Sequence, residues 1–269
     1  VQRSFAGRAT RLAAALAIAL PAAVRALDPP LDCPACTDFP PTTSPWQWQL
    51  SGRIKLRVPA TVYDVDGGDQ GADVIASLKA RGRRVICYFS AGTWEEFRED
   101  AAGFPPEVRG RPLADFPDER WLDVRRIDLL APVLLARLDR FAAKGCDAVE
   151  PDNVAGYTND SGFPLTPEDQ LTFNVWIANQ AHARGLAVGL KNDPDQVAVL
   201  VPYFDFAVVE QCFEFGECER YVPFIAAGKA VFVAEYRVPP RRFCRRARRL
   251  GFSAIHKRLR LDAFRAACR

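Results

Sequence analysis

Cys146-Asp147-Ala148-Val149-Glu150-Pro151-Asp152-Asn153 is an apolar, β-type run that ends abruptly in two carboxylates and an amide. Four later apolar runs end the same way, in Lys191-Asn192, Glu210-Gln211, Glu235-Tyr236 and His256-Lys257. Polar groups at the ends of successive strands, with helix-forming segments between them, predict a (β/α)8 TIM barrel. In that fold the chemistry sits at the C-terminal ends of the strands.

The rest of the chain extends this pattern. Strands are predicted over 46–50, 60–66, 84–90, 146–152, 186–192, 205–211, 230–236 and 252–257. Helices are predicted over 71–81, 126–144, 167–184, 194–202, 218–227, 240–250 and 260–268. Such alternation argues for a parallel sheet. Gly145, Gly185, Gly228 and Gly251 each follow a helix and precede a strand, as C-terminal caps do. Thr166-Pro167-Glu168-Asp169 opens a helix with a cap residue and a proline in the first turn. No GxGxxG follows the first strand, which removes the dinucleotide-binding class. One connection is long, from Ser90 to Ile127, and leaves the mouth end of a strand, where long loops are usually functional. Within it, Trp121-Leu122-Asp123-Val124 reads as a loop segment that drops Asp123 toward the site.

Three regions are expected. Residues 1–26 read as a secretory signal peptide: Arg3, Arg8 and Arg11 precede the apolar run Leu12–Val24, and Val24-Arg25-Ala26 carries small residues at the cleavage positions. That run falls short of the about 20 residues a membrane span needs. Residues 27–45, with Pro29, Pro30, Pro34, Pro40, Pro41 and Pro45, read as an extended strap. Residues 46–269 form the barrel domain. The expected product is secreted, extracellular or periplasmic, monomeric and free of the membrane once the signal is removed. Export makes the eight cysteines legible, because disulfides persist in oxidising compartments. Cys212 and Cys218 bracket a short loop, and Cys244 with Cys268 would tie the last barrel unit to the C-terminus. Cys33 and Cys36 pair with each other or elsewhere. Cys87 and Cys146 are expected to be buried free thiols.

Charge is segregated. Residues 1–26 carry four arginines and no acid, so their removal takes the net charge from +3 to −1. From Arg237 onward twelve Lys/Arg stand against one acid, Asp262, a balance of +11 that leaves −12 on residues 27–236. An acidic body draws cationic ligands and repels anionic ones. The arginines at 241, 242, 245, 246, 248 and 249 are read as the solvated face of an outer helix, and no nucleic-acid partner is expected.

Paired carboxylates at a barrel mouth suit glycoside hydrolysis, which needs one acid as proton donor and a second as base or nucleophile. Asp152 and Glu210 end the fourth and sixth predicted strands. Asp64 and Asp66 end the second, Glu235 the seventh, and Lys191 is placed to pair with one carboxylate and hold it ionised. Aromatic side chains near strand ends, among them Tyr88, Trp121 and Tyr236, suit a partly wet sugar site. Oxygen ligands from Asp64, Glu150 and Asp152 are also the set a hard cation would use. A zinc hydrolase is disfavoured by only two histidines, and a serine hydrolase by the missing GxSxG.

Eight motifs occur in a fixed order: Trp46-Gln47-Trp48-Gln49-Leu50, Tyr63-Asp64-Val65-Asp66, Cys87-Tyr88-Phe89-Ser90-Ala91-Gly92, Trp121-Leu122-Asp123-Val124-Arg125, Glu150-Pro151-Asp152-Asn153, Gly189-Leu190-Lys191-Asn192, Glu210-Gln211-Cys212 and Glu235-Tyr236. Together they resemble glycoside hydrolase family 114, the endo-α-1,4-polygalactosaminidases, from about Trp46 to Tyr236. The arginine-rich end beyond Tyr236 is more idiosyncratic. The resemblance implies a barrel that cleaves α-1,4-linked galactosamine within an exopolysaccharide, without metal or cofactor. It implies that Asp152 and Glu210 match the catalytic acids, with Asp152 as nucleophile and Glu210 as acid/base by analogy with α-glycosidase barrels. Asp64, Asp66, Tyr88, Ser90, Trp121, Asp123, Glu150, Asn153, Lys191, Asn192, Gln211, Glu235 and Tyr236 are then expected to bind substrate. Galactosamine polymers are cationic where deacetylated, which fits the acidic body. The alternative is a non-catalytic, lectin-like barrel that binds cationic glycans with the same residues.

Overall fold

The computed structural model describes residues 26–41 and 45–268, so the expected signal segment lies outside the described residues apart from Ala26. In chain order the first strands are β1 (Trp46–Gln49), β2 (Val62–Asp66) and β3 (Arg84–Ser90). Three short strands follow: β4 (Thr93–Glu95), β5 (Arg109–Pro112) and β6 (Glu119–Leu122). Then come β7 (Ala148–Asp152), β8 (Ala187–Lys191), β9 (Phe206–Glu210), β10 (Ala230–Glu235), β11 (Ser253–His256) and β12 (Ala266–Ala267). The helices are α1 (Ala72–Lys79), α2 (Ile127–Lys144), α3 (Pro167–His182), α4 (Val197–Leu200), α5 (Cys212–Phe215), α6 (Val222–Ala226) and α7 (Pro240–Leu250).

The eight predicted strands are β1–β3 and β7–β11, paired in parallel in that order. They curl into a (β/α)8 barrel. Period-2 alternation sorts each strand into an inside and an outside. Trp46, Trp48, Val62, Ile86, Ala148, Ala187, Phe206, Val208, Ala230, Phe232, Ala234 and Ile255 fill the interior as one cluster. The alternate positions pack against the helices in a second, larger core. Carried upward, the inward parity reaches Asp64, Tyr88, Ser90, Glu150, Asp152, Lys191, Glu210 and Tyr236. The interior is therefore apolar at its base and ionic at its mouth.

The helix signals hold. Thr166 and Asp169 form a reciprocal capping box on α3. Gly145 and Gly251 close α2 and α7 at φ 85° and 79°. Helix α7 buries Phe243 and Ala247 and turns its arginines outward. Three segments differ from expectation. The predicted helix 218–227 splits into a 3-10 turn, Cys218–Tyr221, followed by α6. Residues 119–122, read as loop, form β6 at the centre of a three-stranded antiparallel sheet, β4-β6-β5. Residues 260–268, read as helix, run extended into β12, antiparallel to β11. Leu261 adopts φ 48°, which a helix cannot contain.

That last segment fills the seam of the barrel. The amides of Leu50 and Ser51 donate to the Leu261 carbonyl at 3.0 and 3.2 Å, and the Arg265 guanidinium donates to the Trp46 carbonyl at 2.6 Å. Lys257 Nζ, buried at the end of β11, donates to the Asp262 carbonyl at 2.7 Å and to the Phe264 carbonyl. At the opposite, lower end, residues 27–41 lie against the barrel. Phe39 is buried on the Phe206 ring, with centroids 4.7 Å apart, and its carbonyl accepts from the Ala230 amide. His182 bridges the Leu31 carbonyl and Asp205 at 2.9 Å each, a packing role.

Four disulfides join Cys33–Cys36, Cys87–Cys146, Cys212–Cys218 and Cys244–Cys268. Cys87 and Cys146 are thus not free thiols. Cys87 lies on the outer face of β3 and Cys146 just before β7, and because β3 and β7 are hydrogen-bonded neighbours the two sulfurs meet across the sheet. Among the described residues no helix is long and apolar enough to cross a membrane.

Candidate active site

Lys191, the inward residue at the end of β8, is the centre of the mouth and is almost wholly buried. Its ammonium contacts Glu150 Oε1 at 3.1 Å, Asp152 Oδ1 at 3.1 Å and Glu210 Oε2 at 3.3 Å. It also sits over the Trp48 ring, 4.8 Å from the centroid. Burial alone would push this ammonium down. The charges of Asp152, Glu150 and Glu210 outweigh burial and hold it well above the usual lysine value. The expectation that Lys191 pairs with one acid is therefore corrected: it joins both candidate catalytic carboxylates and a third beneath them. It also stands among the oxygens that a hard cation would have needed.

Each leading acid has further partners. Asp152 Oδ2 accepts from the Tyr88 hydroxyl at 3.1 Å, and Oδ1 accepts from the Asn153 amide at 2.7 Å. Glu210 Oε1 accepts from the Tyr236 hydroxyl, and the Glu210 amide donates to Asn192 Oδ1 at 2.9 Å. Burial and the adjacent carboxylates push both phenols up, so they stay protonated donors. Below, Asp64 and Glu150 are fully buried side by side. Burial, then the neighbouring Glu150 charge, drives the Asp64 carboxyl well up, so Asp64 carries a proton. Burial pushes the Glu150 carboxyl up as well, while the Lys191 charge and the hydrogen bond from Asp64 oppose it.

The strand ends turn sharply here. Asn153, Asn192, Asp193 and Gln211, the residues just past β7, β8 and β9, have φ of 61°, 49°, 54° and 58°. Left-handed backbone at non-glycine residues is uncommon and clusters at functional sites. A Cβ on Gly92 would lie 1.8 Å from the Asn153 carbonyl oxygen, so only glycine lets the turn after β3 approach the end of β7. That approach builds a polar relay. Asn153 Nδ2 donates to Ser90 Oγ at 3.0 Å, Ser90 and Thr93 share a short hydroxyl contact, and Thr93 Oγ1 donates to Glu119 Oε2 at 2.9 Å. Burial pushes the Glu119 carboxyl up to about 7, with the Thr93 hydrogen bond opposing and the charges of Glu95 and Asp152 assisting.

Not every expected residue arrives. Asp66 is bound on both oxygens by Arg98, at 2.9 and 2.7 Å, and Arg98 also holds Glu95 at 2.8 Å; this is a structural clamp. Asp123 pairs bidentately with Arg125, at 2.7 and 2.8 Å, because β6 ends before it and its backbone turns into α2; no contact of its side chain reaches Lys191. Glu235 has outward parity, since Phe232, Ala234 and Tyr236 take the interior. It accepts from the Phe213 amide at 2.7 Å and so caps α5, and burial pushes its carboxyl up to about 7. Gln211 also faces out, donating to Glu214 Oε2 at 2.9 Å. Trp121 stands on β6 beside Gly156 at the rim. Thr93, Glu119 and the ring of Trp48 beneath Lys191 were not among the expected site residues. The alternation Glu119-x-Trp121 was the one signal that places Glu119 on the mouth side.

A model of glycoside-hydrolase family GH114 matches residues 30–269. A crystal structure of Aspergillus fumigatus Ega3 in complex with galactosamine superposes with a TM-score of 0.82 at 36% identity, covering 87% of this chain and 98% of that one. The glycoside hydrolase domain of PelA from Pseudomonas aeruginosa superposes with a TM-score of 0.65 at 15% identity, covering 84% of this chain and 98% of that one. An α-galactosidase from Thermus thermophilus, in complex with p-nitrophenyl α-D-galactopyranoside, shares the fold at a TM-score of 0.53 and 14% identity, covering 81% of this chain and 58% of that one. No curated protein matches the sequence.

Proposed function

The chain belongs to glycoside-hydrolase family GH114, and from that premise we propose a secreted, endo-acting, retaining glycosidase that cleaves α-1,4-linked galactosamine in a galactosaminogalactan-type exopolymer. One observation carries the reading: Glu150, Asp152 and Glu210 converge on the single ammonium of Lys191. Three carboxyl groups surround one cation, and even with Glu210 holding the proton it delivers, the mouth presents no net positive charge to a deacetylated amino sugar; the acidic body concentrates such a polymer around it.

Asp152 is the nucleophile. It attacks the anomeric carbon while Glu210 gives its proton to the departing glycosidic oxygen. Glu210 then takes a proton from water, which displaces Asp152 and regenerates both groups. The Asp152 and Glu210 oxygens that share Lys191 lie no farther apart than their contacts of 3.1 and 3.3 Å laid end to end. That bound admits the retaining separation of about 5–5.5 Å, with which the retaining reading is consistent. Secretion, with removal of residues 1–26, is supported by four disulfides and by cysteines without a free thiol among the described residues.

The test is release of reducing ends from partly deacetylated α-1,4-galactosaminogalactan. Wild type is expected to release them, and Asp152→Asn and Glu210→Gln each to lose about 10²–10⁴-fold while keeping the wild-type melting profile. Normal hydrolysis by both variants would sink the assignment. Binding without hydrolysis by wild type would turn the protein into a lectin-like barrel.

A further inference from the structure

Among the inward carboxylates of the mouth, those on the barrel strands are spoken for: Asp152 and Glu210 by Lys191 and a tyrosine each, Glu150 by Lys191, and Asp64 by its own proton. Glu119 is different. It comes from β6, which the antiparallel sheet holds over the end of β7. Among the described residues only its Oε2 has a hydrogen-bond partner, Thr93 Oγ1, and the half-buried side chain lies close enough to Asp152 and Tyr88 for the charges to act on one another.

The relay behind it has a fixed direction. Ser90 Oγ accepts from Asn153 Nδ2 at 3.0 Å and from the Thr93 amide at 3.2 Å, so its own proton goes to Thr93 Oγ1. Thr93 then gives its proton to Glu119 Oε2. The relay ends on an acceptor and locks the carboxyl in place from the side of Asp152, whose Oδ1 the Asn153 amide also holds. Two residues along the same face of β6, Trp121 borders an open groove of about 480 Å³ with Pro112, Phe116 and Asn159. A sugar at Glu119 therefore lies between the nucleophile and an aromatic rim, along a path that leaves the mouth.

We propose that Glu119 is a specificity-determining residue: its Oε1 receives the ammonium group of an amino sugar bound next to Asp152, and so selects deacetylated over N-acetylated units. The inference rests on the reading that the mouth takes an amino-sugar polymer. Glu95 on β4, Asp152 on β7 and Arg98 are the charged groups around it, and two of the three are acids. Their repulsion and the burial keep the carboxyl poised near neutrality, where a bound cation draws it into the ionised form. An acetamido group offers no such charge, and its methyl meets a half-buried acid that loses hydration for nothing.

Glu119→Gln tests this cleanly. The amide oxygen still accepts from Thr93, so the relay survives, while an NH2 replaces the acceptor in front of the sugar nitrogen. Affinity is measured by calorimetry in an Asp152→Asn background, so that no ligand is consumed, with α-1,4-linked galactosamine oligomers and their fully N-acetylated counterparts. Adding Glu119→Gln is expected to weaken the deacetylated oligomer about 10- to 100-fold and to leave the acetylated one unchanged. Equal loss for both oligomers, or no loss for either, overturns the role of Glu119 and leaves the glycosidase reading to the hydrolysis assay. No binding of the deacetylated oligomer by Asp152→Asn alone overturns the Glu119 assignment as well. Hydrolysis by wild type, measured separately, decides whether the glycosidase reading falls with it.

Discussion

Glu235 and Asp152 both end a strand as acids, yet they do opposite things, and one residue of parity separates them. Asp152 shares the inward face with Ala148 and Glu150, whereas Glu235 follows Ala234 and points between β10 and α5. A carboxyl at about 7 in the fold and near its ordinary value when unfolded favours the folded state fully below about pH 4.5. That contribution is lost as pH rises through 7. Glu235→Gln keeps a neutral acceptor for the Phe213 amide at every pH. The variant is therefore expected to match wild type near pH 4.5 and to exceed it by about 3 kcal/mol at pH 8, read from urea unfolding at the two values. A variant less stable than wild type at both would assign Glu235 to an ionised role. Its parity was legible in the sequence, because Phe232, Ala234 and Tyr236 claim the interior. The partners of Asp66 and Asp123 were not. Arg98 lies more than thirty residues beyond Asp66, and nothing local announces that they meet.

At the scale of elements, the antiparallel sheet β4-β6-β5 is the part of the site that pattern alone conveyed least. Its strands are three or four residues long, too short for alternation to show, and two are separated by turns and 3-10 segments. The eight long-range strands were legible because each repeats the same course, apolar below and polar above. Residues 260–268 misled for a different reason. Leu261, Phe264 and Cys268 fit a helical spacing, but the barrel seam and the bond to Cys244 override local preference. The small sheet is pinned by a buried ionic frame: Arg98 on Asp66 and Glu95, and Arg137 of α2 on Asp100 and on the Ser90 carbonyl at 2.9 Å. Removing one partner strands the others in low dielectric. Arg98→Ala is expected to cost about 3–5 kcal/mol in chemical denaturation, and to lower hydrolysis in the cold, where the variant still folds, because Glu119 and Trp121 ride on that sheet. A cost within about 0.5 kcal/mol, the range of ordinary surface substitutions, would mean the frame is dispensable.

At the scale of the whole molecule, the disulfide Cys87–Cys146 closes 59 residues of sequence, the span that holds the entire small sheet and α2. Chain entropy assigns such a loop about 4 kcal/mol. Replacing both cysteines by serine is expected to lower stability by about that amount without changing specificity between deacetylated and acetylated polymer, a pairing of unfolding and kinetic measurements that an effect on the site itself would break. The first strand and the eighth are not hydrogen-bonded to each other; residues 261–267 stand between them. Neither edge of the eight-stranded sheet completes the other; the wall between them is lent by a segment that follows every barrel strand in sequence, so the closed outline of the mouth depends on residues outside the strands that carry its carboxylates.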